Sequence, residues 1–286
     1  MKRRELIRYL QFGAIAAATT GWWGSKSPSV AQSAANLEIE YLGHTCFRFT
    51  GNGRRILANP FRTLGCTAGY PEPNLDDADL VLVSSFLLDE GAVDTVAESK
   101  LLFESGIFEV QGMTFEGIPI PHDRIGGNRF GTNVIWTWQQ GGIKIAHLGG
   151  AAAPIDVEQR ILIGRPDIAL IPVGGSEKAY TAEEAKQAVS VLNPRLVIPT
   201  HYRTAAADDN ACDIAPLENF LNLMEGTEIR VAESNRIALN PSDLPQGDTV
   251  IRVLTPPINT PFNPDQDQAD AAPVRPTPQR PSRKIK

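Results

Sequence analysis

Two successive stretches constrain the fold of this chain more than any other feature. IDVEQRILIGRPDIALIPVGG reads as a helix leading into a buried strand, and YTAEEAKQAVSVLNPRLVIPTHY repeats that order. In the second, Thr181 stands as helix N-cap with Glu184 three residues on, and Asn193-Pro194 ends the helix. A strand that is apolar throughout must be covered on both faces, so helices have to pack on its sheet. LVLVS, residues 80–84, reads as another such strand, running into a turn and a helix at DEGAV. LEIEYLG and CFRFTG alternate apolar and polar residues, and GNGRR supplies a hairpin turn before RILANPF. IFEVQGMTFEGIPI and TNVIWTWQQGGIKIAHLG read as two further hairpins. Trp136 and Trp138 fall two apart, on one face of a strand, where they serve sheet packing. Hairpins at both ends with helix–strand units between them predict one α/β domain over residues 37–254.

Both ends read differently from this middle. MKRRELIRYLQFGAIAAATTGWWG has a basic start, a short apolar run and then small residues, the layout of an export signal within residues 1–36. Arg3-Arg4 followed by Glu5, Leu6 and Ile7 resembles a twin-arginine signal, although an ordinary Sec signal shares the basic pair. Export to the periplasm or an equivalent compartment is therefore expected, with an uncleaved signal as a conceivable anchor. Residues 255–286 are dense in proline and poor in apolar side chains, as in a disordered tail. A formal net charge of -6 argues against nucleic acid as a partner. No apolar run approaches the ~20 residues of a bilayer span. Cys46, Cys66 and Cys212 have no metal-type spacing. One disulfide with one cysteine left over is compatible with an exported chain, but buried free thiols are the simpler expectation.

The chemistry-bearing residues gather at strand ends. Of four histidines, His44 follows the first strand, His122 follows IPIP, His147 lies in IAHLGG and His201 in VIPTHYRT. In layered α/β folds strand ends face the ligand site, where converging imidazoles can hold a divalent metal. A single histidine of this kind is more often a hydrogen-bonded structural residue. Arg124 and Arg203, beside two of the histidines, are candidates to hold an anionic ligand and equally suit surface ion pairs.

YLGHTCFRFTGNGRRILANPF, IAHLGGAAAP, DIALIPVGG and NPRLVIPTHYRT occur in an order that resembles the metallo-β-lactamase superfamily. The nearest likeness is to its ascorbate-6-phosphate-lactonase-like branch of metal-dependent hydrolases. The resemblance implies a four-layer αβ/βα sandwich with a zinc site at the sheet edges. It also exposes departures. Where that branch has an HxHxDH motif, Ser85 and Leu87 replace two histidines, Asp89 keeps the aspartate, and Glu90 replaces the last histidine. Gly150 stands for the metal-bridging aspartate and Asn59 for the aspartate of a DP pair. Asp89, His122 and His201 remain as metal candidates. The first expectation is a non-catalytic member binding a small molecule in the sheet-edge cleft, with His44, His147, Arg124 and Arg203 as ligand-binding candidates. The second is a hydrolase of phosphoesters or lactones with an altered mononuclear site for Zn, Mn or Fe, in which Asp89 or Glu90 acts catalytically. A third, Ser84 or Ser85 acting with His122 or His201, lacks a nucleophile-elbow motif.

Overall fold

A computed structural model describes residues 36–258, in which the strand segments pair into two sheets. The export signal and most of the tail expected from sequence lie outside the described residues. Five strands open the first sheet: β1 (Leu37–Gly43), β2 (Cys46–Gly51), β3 (Arg54–Ala58), β4 (Leu80–Leu82) and β5 (Leu101–Leu102). The second begins with β6 (Gly106–Val110), β7 (Met113–Pro121), β8 (Thr132–Gln140), β9 (Ile143–His147), β10 (Ile168–Pro172) and β11 (Leu196–Thr200). Then β12 (Glu228–Val231) and β14 (Val250–Val253) join the second sheet, while β13 (Arg236–Leu239) returns to the first. The strand orders are β13-β1-β2-β3-β4-β5 and β12-β14-β11-β10-β9-β8-β7-β6.

The helices α1 (Val157–Ile163) and α2 (Ala182–Leu192) are the crossovers that let β9, β10 and β11 run parallel. Both start at a side-chain cap, that of α2 being the Thr181 expected from sequence. Asp156 accepts from the Gln159 amide at 2.8 Å, and Thr181 from the Glu184 amide at 3.3 Å. Asn193 ends α2 in a left-handed conformation at φ 44°. These helices and α3 (Leu217–Leu223) pack on the second sheet through Ile163, Ala185, Leu192 and Phe220. Phe49, Trp136, Trp138 and Leu170 fill the space between the sheets. The buried Trp136 indole donates to the Val83 carbonyl at 3.0 Å, a sheet-to-sheet tie whose loss would leave a buried N–H at a cost of about 1–3 kcal/mol. The outer face of the first sheet is covered by Phe61, Tyr70 and Val93 from connecting segments. This is the two-sheet α/β sandwich of the metallo-β-lactamase kind expected from sequence, with its α-helices among the described residues on the second sheet.

Two local expectations need correction. No helix follows β4: residues 85–97 run as turns and extended chain. Phe86 and Leu88 are exposed there, so the apolar residues form no buried stripe, and the polar side chains of Ser85, Asp89 and Glu90 are bonded elsewhere. Asp89-Glu90 is therefore not a helix start. Nor are all three thiols free. Cys66 and Cys212 form a disulfide that joins the loop after β3 to the loop after β11, and Cys46 is buried and unpaired.

Candidate metal centre

One end of the sandwich collects loops from both sheets. His44 follows β1 and His201 follows β11, both in the left-handed region at φ 55° and 51°. The His201 amide donates to the His44 carbonyl at 3.1 Å, which brings the two imidazole centroids to 4.2 Å. Asp89, in the turn after β4, places Oδ2 3.3 Å from His44 Nε2. Ligand atoms of His44, Asp89 and His201 all lie within 4.8 Å of one another, the one such group of three or more metal-type side chains among the described residues. Lys178, from the loop between β10 and α2, contacts the same Asp89 Oδ2 with its ammonium.

The electrostatics suit a ligand set. Burial opposes ionisation of Asp89, but the His44 imidazole against its Oδ2 and the Lys178 charge hold its carboxyl well below the usual range. Burial, assisted by His44 and Lys178, pushes His201 well below its ordinary value, so its imidazole is neutral. Metals take the lone pair of a neutral imidazole. Both ring nitrogens of His44 and Nδ1 of His201 are buried with no well-aligned hydrogen bond, although Nε2 of His44 lies 3.3 Å from Asp89 Oδ2. Two imidazoles and one carboxylate with such orphaned atoms fit one divalent ion of the Zn, Mn or Fe kind.

Beside this group lies a second one that is closed. Glu90 accepts from the Ser85 hydroxyl at 2.7 Å, and its Oε1 sits 2.9 Å from His122 Nε2, off the angle of a good hydrogen bond. Burial opposes its ionisation, yet the His122 charge holds the Glu90 carboxyl low. A Cβ on Gly150 would press on His122 Nε2 and lie 2.9 and 3.1 Å from the two Glu90 oxygens. The space that an aspartate at position 150 would need is thus filled by this pair. The Asn59 side chain, in the place of the DP aspartate, accepts from the Ser84 amide at 2.9 Å.

Among the candidates from sequence, the fold brings Asp89 and His201 together and adds His44, which had been expected to bind ligand. His122 does not join them, because Glu90 holds it. His147 is a structural residue: its Nε2 faces the Thr45 carbonyl at 2.9 Å and its Nδ1 accepts from the Gly149 amide at 3.1 Å. Burial pushes its imidazole down to about 4. Arg124 is spent on Glu184 and on the carbonyls of Ser176 and Ala179, each at 2.8 Å, and is not free for an anion. Arg203 is likewise held, by the Cys212 carbonyl at 2.7 Å and by Asp209. Ser85 bonds the Glu90 carboxylate rather than an imidazole, so the serine–histidine pairing considered from sequence is not formed there. Sequence reasoning passed over Lys178. Its signal was present: PVGGSEKAY follows a buried strand at the same sheet edge.

The family described as a Beta-lactamase superfamily domain matches residues 38–201 of the chain. A metal-dependent hydrolase of Thermococcus onnurineus is 30% identical over 194 residues, which are 59% of this chain and 85% of that one. Another from Thermoplasma acidophilum is 30% identical over 193 residues, 59% and 84% of the two chains. Among solved structures, a suggested Zn-dependent hydrolase of the metallo-beta-lactamase superfamily from Thermotoga maritima has a TM-score of 0.57 at 26% identity. That likeness covers 76% of this chain and 98% of the other. The expectation of a non-catalytic member finds no support among these relatives.

Proposed function

The chain belongs to the β-lactamase superfamily, with the metallo-β-lactamase fold, and on that premise we propose that it is a hydrolase with one metal place, made by His44, Asp89 and His201. The observation that carries this reading is the convergence of three ligand atoms within 4.8 Å, two of them from strained, buried histidines. The substrate class is a small phosphoester or lactone entering at the sheet edge, as in the ascorbate-6-phosphate-lactonase-like branch whose motif order the chain resembles. Held by His44, Asp89 and His201, a divalent ion would supply a Lewis acid for a carbonyl or phosphoryl oxygen and would acidify a water toward ~7. The chain's own residues present two imidazoles, with His201 held neutral, and fix Asp89 ionised. Glu90 is not assigned as a base, because it is buried and already engaged by Ser85 and His122.

The test is the metal content of the full chain purified without chelators. About one equivalent of Zn, Mn or Fe is expected, and His201→Ala should lose it while the far-UV spectrum stays the same. A stably folded wild type carrying no metal would sink the reading, and the site would then be a ligand cleft only. We further propose that the protein is exported. The disulfide of Cys66 with Cys212 supports an oxidising compartment. Cell fractionation with N-terminal sequencing of the recovered protein tests this, and cytoplasmic recovery would refute it.

A further inference from the structure

We propose that Lys178 is a built-in cation of this site, whose ammonium competes with a divalent ion for Asp89 and so sets how tightly the chain holds metal. The inference rests on the reading that His44, Asp89 and His201 form the metal place. Three observations carry it. The first is the contact itself: the Asp89 oxygen that faces Lys178 is the same Oδ2 that faces His44. A metal ligating through that atom and an ammonium bonded to it cannot both be fully served.

The second is that the lysine is delivered, not left to wander. Arg124 donates to the carbonyls of Ser176 and Ala179, one on each side of Lys178, both at 2.8 Å. Glu177 pairs with Arg129, and Ser176 is in the left-handed region at φ 72°. The Lys178 side chain is only 22% exposed. A surface lysine would keep its rotamer freedom, whereas this one has its backbone fixed on both flanks.

The third is the charge inventory around Asp89. Glu90, the neighbouring carboxylate, is engaged by His122 and Ser85. Position 59 is an amide and position 150 has no side chain. Asp89 is therefore the one carboxylate of this site not already taken up by the Glu90 pair, and it faces Lys178 and any metal together. An ammonium and a divalent ion this close repel strongly where water is scarce. The lysine then keeps Asp89 neutralised while metal is absent and weakens metal binding when it is present.

The test uses the full chain with zinc as the probe, in wild type, Lys178→Met and Lys178→Arg. Zinc affinity is read by competition with a chromophoric chelator, and the stability of the zinc-free proteins by thermal unfolding. Lys178→Met should bind zinc at least ~10-fold tighter and, without zinc, unfold at a lower temperature. Lys178→Arg should return both values toward wild type. The two signs matter, because an ordinary ion pair would lower stability and leave zinc affinity alone. If His201→Ala abolishes zinc binding but Lys178→Met binds it no tighter than wild type, the lysine inference is overturned and the metal reading stands. If wild type takes no zinc and Lys178→Met takes it, the inference stands and the hydrolase reading falls. If neither takes zinc, both fall.

Discussion

The two halves of the site differ in how their charges are answered. In one, His44, Asp89 and His201 leave imidazole nitrogens without a well-aligned hydrogen bond and share a single carboxylate with Lys178. In the other, Glu90 takes the Ser85 hydroxyl and faces the His122 ring, whose nitrogens also lack a well-aligned hydrogen bond, and the three fill the notch at Gly150. In the first half the imidazoles face a carboxylate that is shared with a lysine; in the second one carboxylate faces one imidazole and leaves no room for an added group. Loss of the usual motif histidines therefore does not mean loss of the whole site. One half is closed by its own side chains, and the other holds the residues on which the proposed metal place rests.

The largest expected effect breaks the closed half. Glu90→Ala leaves His122 buried without its partner, which should cost about 3–5 kcal/mol in urea unfolding, with Glu90→Gln costing clearly less. An equal, small loss in both would show that the pair contributes little and that the halves are not so different.

Next comes acid. The folded-state values of His147 and His201 lie below the unfolded one, so the unfolded chain binds more protons as pH falls below 6.5. The stability present at neutral pH should therefore drop between pH 6.5 and about 4, by up to about 3 kcal/mol from His147. Glu90 and Asp89, held low, keep their contribution above the ordinary carboxylate range and lose it only further down. His147→Gln should flatten part of the upper window in a zinc-free sample. An unchanged slope would move the acid lability to other groups.

A smaller effect tests the notch. Gly150→Asp places a side chain against His122 and Glu90 and should cost about 1–3 kcal/mol. It should bind no second equivalent of zinc in equilibrium dialysis. A stable Gly150→Asp variant with two zinc ions would show that the closed half reopens easily.

What sequence made legible was local. The caps at Thr181 and Asn193, the hairpins and the histidines at strand ends each rest on neighbouring residues, and the fold has them. What it hid was pairing at long range. Glu90 meets His122 from another sheet, Lys178 reaches Asp89 across 89 positions, and Cys66 finds Cys212 across 146. No spacing rule reports such partners. The turn after β4 was misread as a helix because its acidic residues look like a helix start, when they are turned inward to histidines and a lysine.

The backbone at His44 and His201 carries one more consequence. A left-handed residue other than glycine costs on the order of 1–2 kcal/mol. Each turn would be relaxed with glycine or asparagine in that position. The chain instead holds two buried imidazoles on bent turns with unmet nitrogens, an arrangement that lowers its own stability. An ion seated on those nitrogens would offset part of that cost, so added metal should raise the unfolding temperature of the chain.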